Sequence, residues 1–325
     1  CITMEIFYST FEQTLMIFIF IAAGFFLRKT RLLPEDSHIT MAKLETCIFV
    51  PALTLYTYMT KCTIKTFTRN SGLILYGFII IFAALAMSYP LSRLFVRRSS
   101  ASSELAYQRN IYKYALTFGT YGFFGNFLVL GIWGEDMFYK YSLFTLFAGI
   151  LCTSWGLYIL IPKEHNAGVW VNLKKGLITP PIIALVTGIV LGLLNVAKYV
   201  PDFMITAFNN AGKCQGPVAM LLAGFVIGGY DFKSLLTKKK VYIVTALRLI
   251  VIPAVILLIL IFLDTSKEIM TLALIAFATP LGLNTVVYPA AYGGDTKTGA
   301  SMAMISHTLS VITIPLMYLV FIVLL

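Results

Sequence analysis

Apolar residues run along this chain in long blocks, separated by short charged clusters. Six stretches contain no Asp, Glu, Lys or Arg: 71–92, 114–134, 141–162, 176–197, 269–294 and 299–325. A seventh, 241–263, is interrupted only by Arg248. Three weaker stretches carry Glu12 (8–27), Lys43 with Glu45 (41–60), and Lys213 (203–229). A helix that crosses hydrocarbon needs about 20 mostly apolar residues. The pattern therefore predicts ten membrane helices, counted below as the first to tenth spans. The expected fold class is an all-α polytopic membrane protein, and ten spans leave no length for a separate soluble domain.

Composition agrees. Of 325 residues, 59% are hydrophobic and 12% charged, and the mean hydropathy is +0.86. Soluble domains carry about a quarter charged residues. The net charge of +11, from 25 Lys+Arg against 14 Asp+Glu, would suggest nucleic acid in a soluble protein. Here the basic residues fall between apolar runs and report topology instead. Loops after odd-numbered spans hold sixteen of them and loops after even-numbered spans hold six. The positive-inside bias then puts the odd loops in the cytoplasm and both termini outside. Glu5 and Glu12 come before Arg28, Lys29 and Arg31, the reverse of the charge order in a secretory signal peptide. Cys1, Cys47, Cys62, Cys152 and Cys214 are dispersed, with neither a disulfide framework nor zinc-site spacing. No metal or cofactor is expected.

The fourth and ninth spans align without a gap at an offset of 159, 116–136 against 275–295. Phe118 meets Phe277, Thr120 meets Thr279, Gly134 meets Gly293 and Asp136 meets Asp295. Both middles are rich in helix breakers: Gly119, Gly122 and Gly125 in one, Pro280, Gly282 and Pro289 in the other. The second and seventh spans also match, Pro51 against Pro217. Residues 1–162 and 163–325 thus read as two copies of a five-helix unit. Because five is odd, the second copy is inverted. Inverted repeats with paired broken helices mark secondary transporters, and the breaks mark the substrate site. Pro280 releases the carbonyl of Ala276, and Pro289 that of Thr285. Half-helices beginning near Asn126 and Asn284 would offer unpaired N–H groups to an anion. Capping accounts for the two Asn residues as well.

These segments carry a family resemblance: GTYGFFGNFLVLGIWGED (119–136), PVAMLLAGFVIG (217–228), LRLIVIPAV (247–255), ATPLGLNTVVYPAAYGGD (278–295) and GASMAMISHTLSVITIP (299–315). The chain resembles the auxin efflux carrier family, which includes PIN-type carriers and bacterial malonate-carrier-like permeases, with a wider fold shared with bile-acid sodium symporters. The resemblance implies crossing, broken fourth and ninth helices. It also implies a scaffold of helices 1, 2, 6 and 7 and a mobile transport domain of helices 3–5 and 8–10, working as an elevator. The candidate substrate-binding set at the crossover is Thr120, Tyr121, Gly122, Asn126, Pro280, Asn284 and Tyr288. Two positions depart from the family pattern: Thr120 stands where the family often has Asn, and Phe127 where it often has Pro. The long central loop of plant carriers is absent, the loop near 163–175 being short.

Other polar residues inside the spans are functional candidates by default. Arg248 either snorkels toward Lys238–Lys240 or serves the substrate. His307 lies about 15 Å into the tenth span, as a neutral hydrogen-bonded residue or a proton carrier. Glu12, Lys43, Glu45 and Lys213 are expected at the interfaces. Thr54, Tyr56 and Tyr58 are expected either to face the site from the scaffold or to pack. Paired catalytic carboxylates, an HExxH motif and a nucleophile elbow are all missing, which argues against an enzyme. The leading expectation is a carrier for a small organic anion embedded in the lipid bilayer, with proton or sodium coupling open. A sodium-coupled symporter of the bile-acid type and a non-transporting membrane sensor are the alternatives. No nucleic-acid partner is expected, and a homodimer stays open.

Overall fold

The computed structural model describes residues 2–96, 102–162, 168–291 and 294–324. Among these every named element is helical, and the one β-type contact is an isolated antiparallel bridge between Gly119 and Leu281. In hydrocarbon the backbone must satisfy its own polar groups, and helices do this within a single segment.

Among the described residues six helices are long and apolar enough to cross a bilayer. They are α1 (Ile2–Lys29), α2 (Ser37–Lys61), α3 (Gly72–Phe95), α8 (Asp202–Gly228), α9 (Lys239–Phe262) and α12 (Thr296–Leu324). Helix α4 (Ser103–Thr117) leads into a π turn at Tyr121–Gly125 and then α5 (Asn126–Phe144). Together with α6 (Leu146–Leu160) this forms a further apolar pair bent by 55°. Helix α7 (Pro180–Leu193) is apolar but shorter. Helices α10 (Lys267–Ala278) and α11 (Asn284–Ala291) are separated by a break. The expected boundary between repeats, after Pro162, falls against residues 163–167, outside the described set.

Several ends follow from local chemistry. Ser102, Ser266 and Asp295 cap α4, α10 and α12 by accepting from the N–H groups of Leu105, Ile269 and Thr298. Helix α4 begins eleven residues before the charge-free stretch, so Glu104, Arg109 and Lys113 extend it out of the apolar region. Within α2 and α9, π turns at Glu45–Phe49 and Leu247–Val251 precede Pro51 and Pro253. A proline ring clashes with the carbonyl four residues back, and a widened turn gives it room.

Helix α1 packs along the second half of α8, and α2 along α7. At the first contact a Cβ on Gly224 would strike the carbonyl of Ile21, and one on Gly24 that of Leu221. Small residues let the two backbones approach this closely. The main core gathers around α4, α10 and α12, with Tyr114, Phe118, Leu128, Phe277 and Met302 buried. A smaller cluster of Tyr58, Cys62, Tyr139 and Leu143 joins α2 to α5.

Candidate functional site at the crossover

The two breaks meet. Gly119 lies against Leu281, and the N–H and hydroxyl of Thr120 both donate to the carbonyl of Pro280, at 2.8 and 3.2 Å. A Cβ at Gly119 would collide with the Thr279 side chain and backbone, so only glycine fits the crossing. The N–H of Leu281 donates to the Ser306 hydroxyl at 2.9 Å, tying the second break to α12.

After Thr120 the chain turns at once into the π turn. The N–H groups of Phe123, Phe124 and Gly125 all converge on the Thr120 carbonyl, at 3.1, 2.8 and 3.3 Å. The half-helix therefore starts at Tyr121 and runs unbroken through Asn126, whose φ of −58° and ψ of −48° are helical. This corrects the expected start near Asn126 by five residues, and Asn126 does not cap it. The second half-helix begins at Asn284, as expected. By the geometry of any helix start, Tyr121 and Gly122 on one side, and Leu283 and Asn284 on the other, have N–H groups with no intrahelical acceptor.

A cavity of about 250 Å³ opens beside these ends. Thr120, Tyr121, Gly122, Asn126, Asn284 and Tyr288 all line it. Pro280 does not, and serves instead as the acceptor that holds Thr120. The cavity reaches along α2 from Tyr58 back to Thr46, and to Pro181 and Ile182 at the start of α7. Thr54 and Tyr58 line it, whereas Tyr56 points elsewhere: its hydroxyl donates to both carboxylate oxygens of Glu135 at 3.1 Å. Lys61 pairs with Asp136 at 2.8 Å and with Glu135 at 3.6 Å. These contacts tie the end of α2 to α5 beside Gly134, where the backbone kinks at φ +75°.

Three groups that the sequence did not single out shape the site. The Asn284 amide nitrogen donates to the Tyr114 hydroxyl at 2.8 Å and to the Cys152 sulfur at 3.4 Å. Tyr114 and Cys152 are themselves hydrogen-bonded at 2.9 Å. Gln215, buried on α8, donates to the Gly122 carbonyl at 3.2 Å, and its own amide oxygen is unpartnered. Among the described residues the Asn126 amide makes no such bond.

The nominated ionisable residues sit outside the cavity lining. His307 is buried, with Nδ1 bonded to the Ala303 carbonyl at 2.7 Å and the ring edge-on to Phe124. A carbonyl only accepts, so Nδ1 carries the proton, and Nε2 is an unpartnered acceptor. Arg248 does not snorkel: it is 1% exposed, over the Phe277 ring, with Nη2 at 3.5 Å from the Ala276 carbonyl. That carbonyl is the one Pro280 leaves free. Glu45 does not face outward either. It is buried, and both its oxygens lack partners. The π turn that carries it packs on α7 and α8, which no local pattern around residue 45 encodes. Glu12, Lys43 and Lys213 are exposed.

A bundle of apolar helices with a cavity where two interrupted helices cross describes a multi-pass membrane transport protein. The chain belongs to the membrane transport protein family (Mem_trans), whose model matches residues 9–318; this is the auxin-efflux-carrier-like grouping to which the motifs pointed. It is a family of transporters rather than enzymes. Over 314 residues the chain is 22% identical to the uncharacterized transporter YfdV of Escherichia coli K12, covering 93% of this chain and 94% of that one. The YfdV proteins of Escherichia coli O157:H7 and Shigella flexneri align to the same extent.

Proposed function

We propose that this protein is a carrier that moves a small organic anion, a carboxylate, across the membrane by alternating access, binding it at the crossover. The observation that carries the reading is the 250 Å³ cavity lined by both helix starts and by six of the seven nominated residues. Two clusters of free N–H groups and the amide of Asn126 suit a carboxylate, while the Asn284 amide holds Tyr114 and Cys152 beside the second cluster. Without a lysine or arginine in the lining, binding is modest, as release requires.

Ten crossings in two inverted five-helix repeats complete the reading. Helix packing supports the repeat: exchanging the halves turns the α1–α8 pairing into the α7–α2 pairing, and both are major contacts. Helices α1, α2, α7 and α8 form the scaffold, and the crossing helices with α3, α9 and α12 form the moving body of an elevator. Lys61 and Tyr56 hold scaffold to moving body at the end of α2, while the cavity extends toward the starts of α2 and α7. With odd loops cytoplasmic and both termini outside, this is a state closed outside and open inside.

Uptake of radiolabelled C2–C6 carboxylates into proteoliposomes, with and without sodium and across pH, tests the proposal. Saturable uptake of a carboxylate that is lost in Asn284→Ala supports it. Saturable uptake of neutral solutes alone would remove the anion assignment.

A further inference from the structure

Among its described residues the moving body holds an interior cation, Arg248, with no negative partner. Arg248 is 1% exposed, and both Nε and Nη1 lack partners among the described residues. Its contacts are the face of Phe277 and the Ala276 carbonyl. Arginine keeps its proton in proteins, and an uncompensated charge inside a membrane protein is costly. The guanidinium borders a small cavity of about 10 Å³ with no acidic residue in its lining. Tyr121 and Thr145 line both this cavity and the large one. Arg248 thus touches the second break through Ala276 and stands behind Tyr121, where the first half-helix starts.

We propose that Arg248 is the fixed charge that sets substrate valence: the site takes a solute with a single negative charge, which neutralises Arg248 across the wall of Tyr121 and Thr145. This deepens the organic-anion reading of the crossover and rests on it. A neutral solute leaves the arginine uncompensated. A dianion brings one negative charge too many into a low-dielectric place. The order of preference is monoanion, then dianion, then neutral analogue. Arg248 acts through space and through Tyr121, so it is a positioning and selectivity residue rather than a direct ligand.

The test uses the purified full chain and three matched probe sets: C2–C6 monocarboxylates, the corresponding dicarboxylates, and the corresponding primary amides. Calorimetry and thermal shift are read for the parent, Arg248→Gln and Arg248→Lys. The parent is expected to bind monocarboxylates at least about ten-fold more tightly than amides of the same length, a difference of about 1.4 kcal/mol. Arg248→Gln is expected to lose that preference and Arg248→Lys to keep part of it. Without probe, Arg248→Gln is expected to melt no lower than the parent, because an uncompensated charge has been removed. If Arg248→Gln melts well below the parent, the arginine is a structural member and the proposal is overturned. If the variant keeps the parent's charge preference, the proposal falls while the crossover reading stands. If no carboxylate binds the parent, the organic-anion reading fails first, and this proposal with it.

Discussion

The break at Gly119–Gly125 and the break at Thr279–Leu283 stand side by side, each the start of a half-helix, yet they are held in different ways. The first is made by glycine. The carbonyl that opens its half-helix, Thr120, accepts from three N–H groups of its own turn. The second is made by proline. The carbonyl that Pro280 frees, Ala276, is taken by the Thr279 hydroxyl within the break at 3.4 Å and by Arg248 from outside at 3.5 Å. The amides differ in the same sense: Asn284 is fixed by Tyr114 and Cys152, whereas Asn126 is uncommitted. One half of the site is preorganised and the other is free to adapt. A preorganised wall binds more tightly because its ordering cost has been met in advance.

The comparison breaks most completely at the crossing itself. Gly119→Val places a side chain where Thr279 and Pro280 already lie. Overpacking of this kind costs about 1–3 kcal/mol, and here it also parts the two breaks. Transport is expected to vanish while detergent-solubilised protein melts several degrees lower, as thermal shift would record.

A smaller effect separates the two amides. Asn284→Ala removes the amide whose two N–H groups hold Tyr114 and Cys152 beside the second helix start, and the loosened wall is expected to cost about 1.5–3 kcal/mol, or roughly ten- to a hundred-fold in affinity. Asn126→Ala is expected to cost no more than this, since its donor must first be ordered. Calorimetry on an identified carboxylate would read both. A larger loss at Asn126 would reverse the assignment of the preorganised half.

The tie at Lys61 is weaker still. Asp136 is 84% exposed and Lys61 31%, so the pair contributes about 0.2–1 kcal/mol and is screened by salt. Lys61→Met is expected to raise labelling of a cysteine placed at Thr57 from the Lys61 side by a few-fold, and high salt to do the same in the parent. Unchanged labelling would mean that this end is closed by apolar packing alone.

His307→Gln is expected to have the smallest effect. The Gln amide can replace one hydrogen bond, and the ring lies outside the cavity. If His307 handles protons, uptake loses its pH dependence while substrate binding stays. An unchanged pH profile leaves it as a packing residue beside Phe124.

The long helices were legible because membrane length and apolarity are properties of composition. The breaks were legible because Gly119, Pro280 and Gly282 have local conformational consequences, and the second half-helix starts at Asn284 as read. The first start was not legible. It depends on Thr120 bonding to Pro280, 160 residues away, and no window around Asn126 contains that contact. The same holds for Tyr114, Cys152 and Gln215, ordinary residues of spans until the fold brings them to the breaks. Burial of Glu45 and Arg248 was missed for a related reason. Distance from a loop measures depth along a helix, but not which face meets lipid and which meets α7, α8 or α10.

The central claim is that substrate sits at the crossover, and it is tested most directly by binding and proteoliposome uptake of one identified carboxylate in the parent, Asn284→Ala and Asn126→Ala. The expected result is folded variants, a ten- to hundred-fold loss in affinity for Asn284→Ala, and a matching fall in uptake. If both variants fold, bind and transport like the parent, the crossover is not the site.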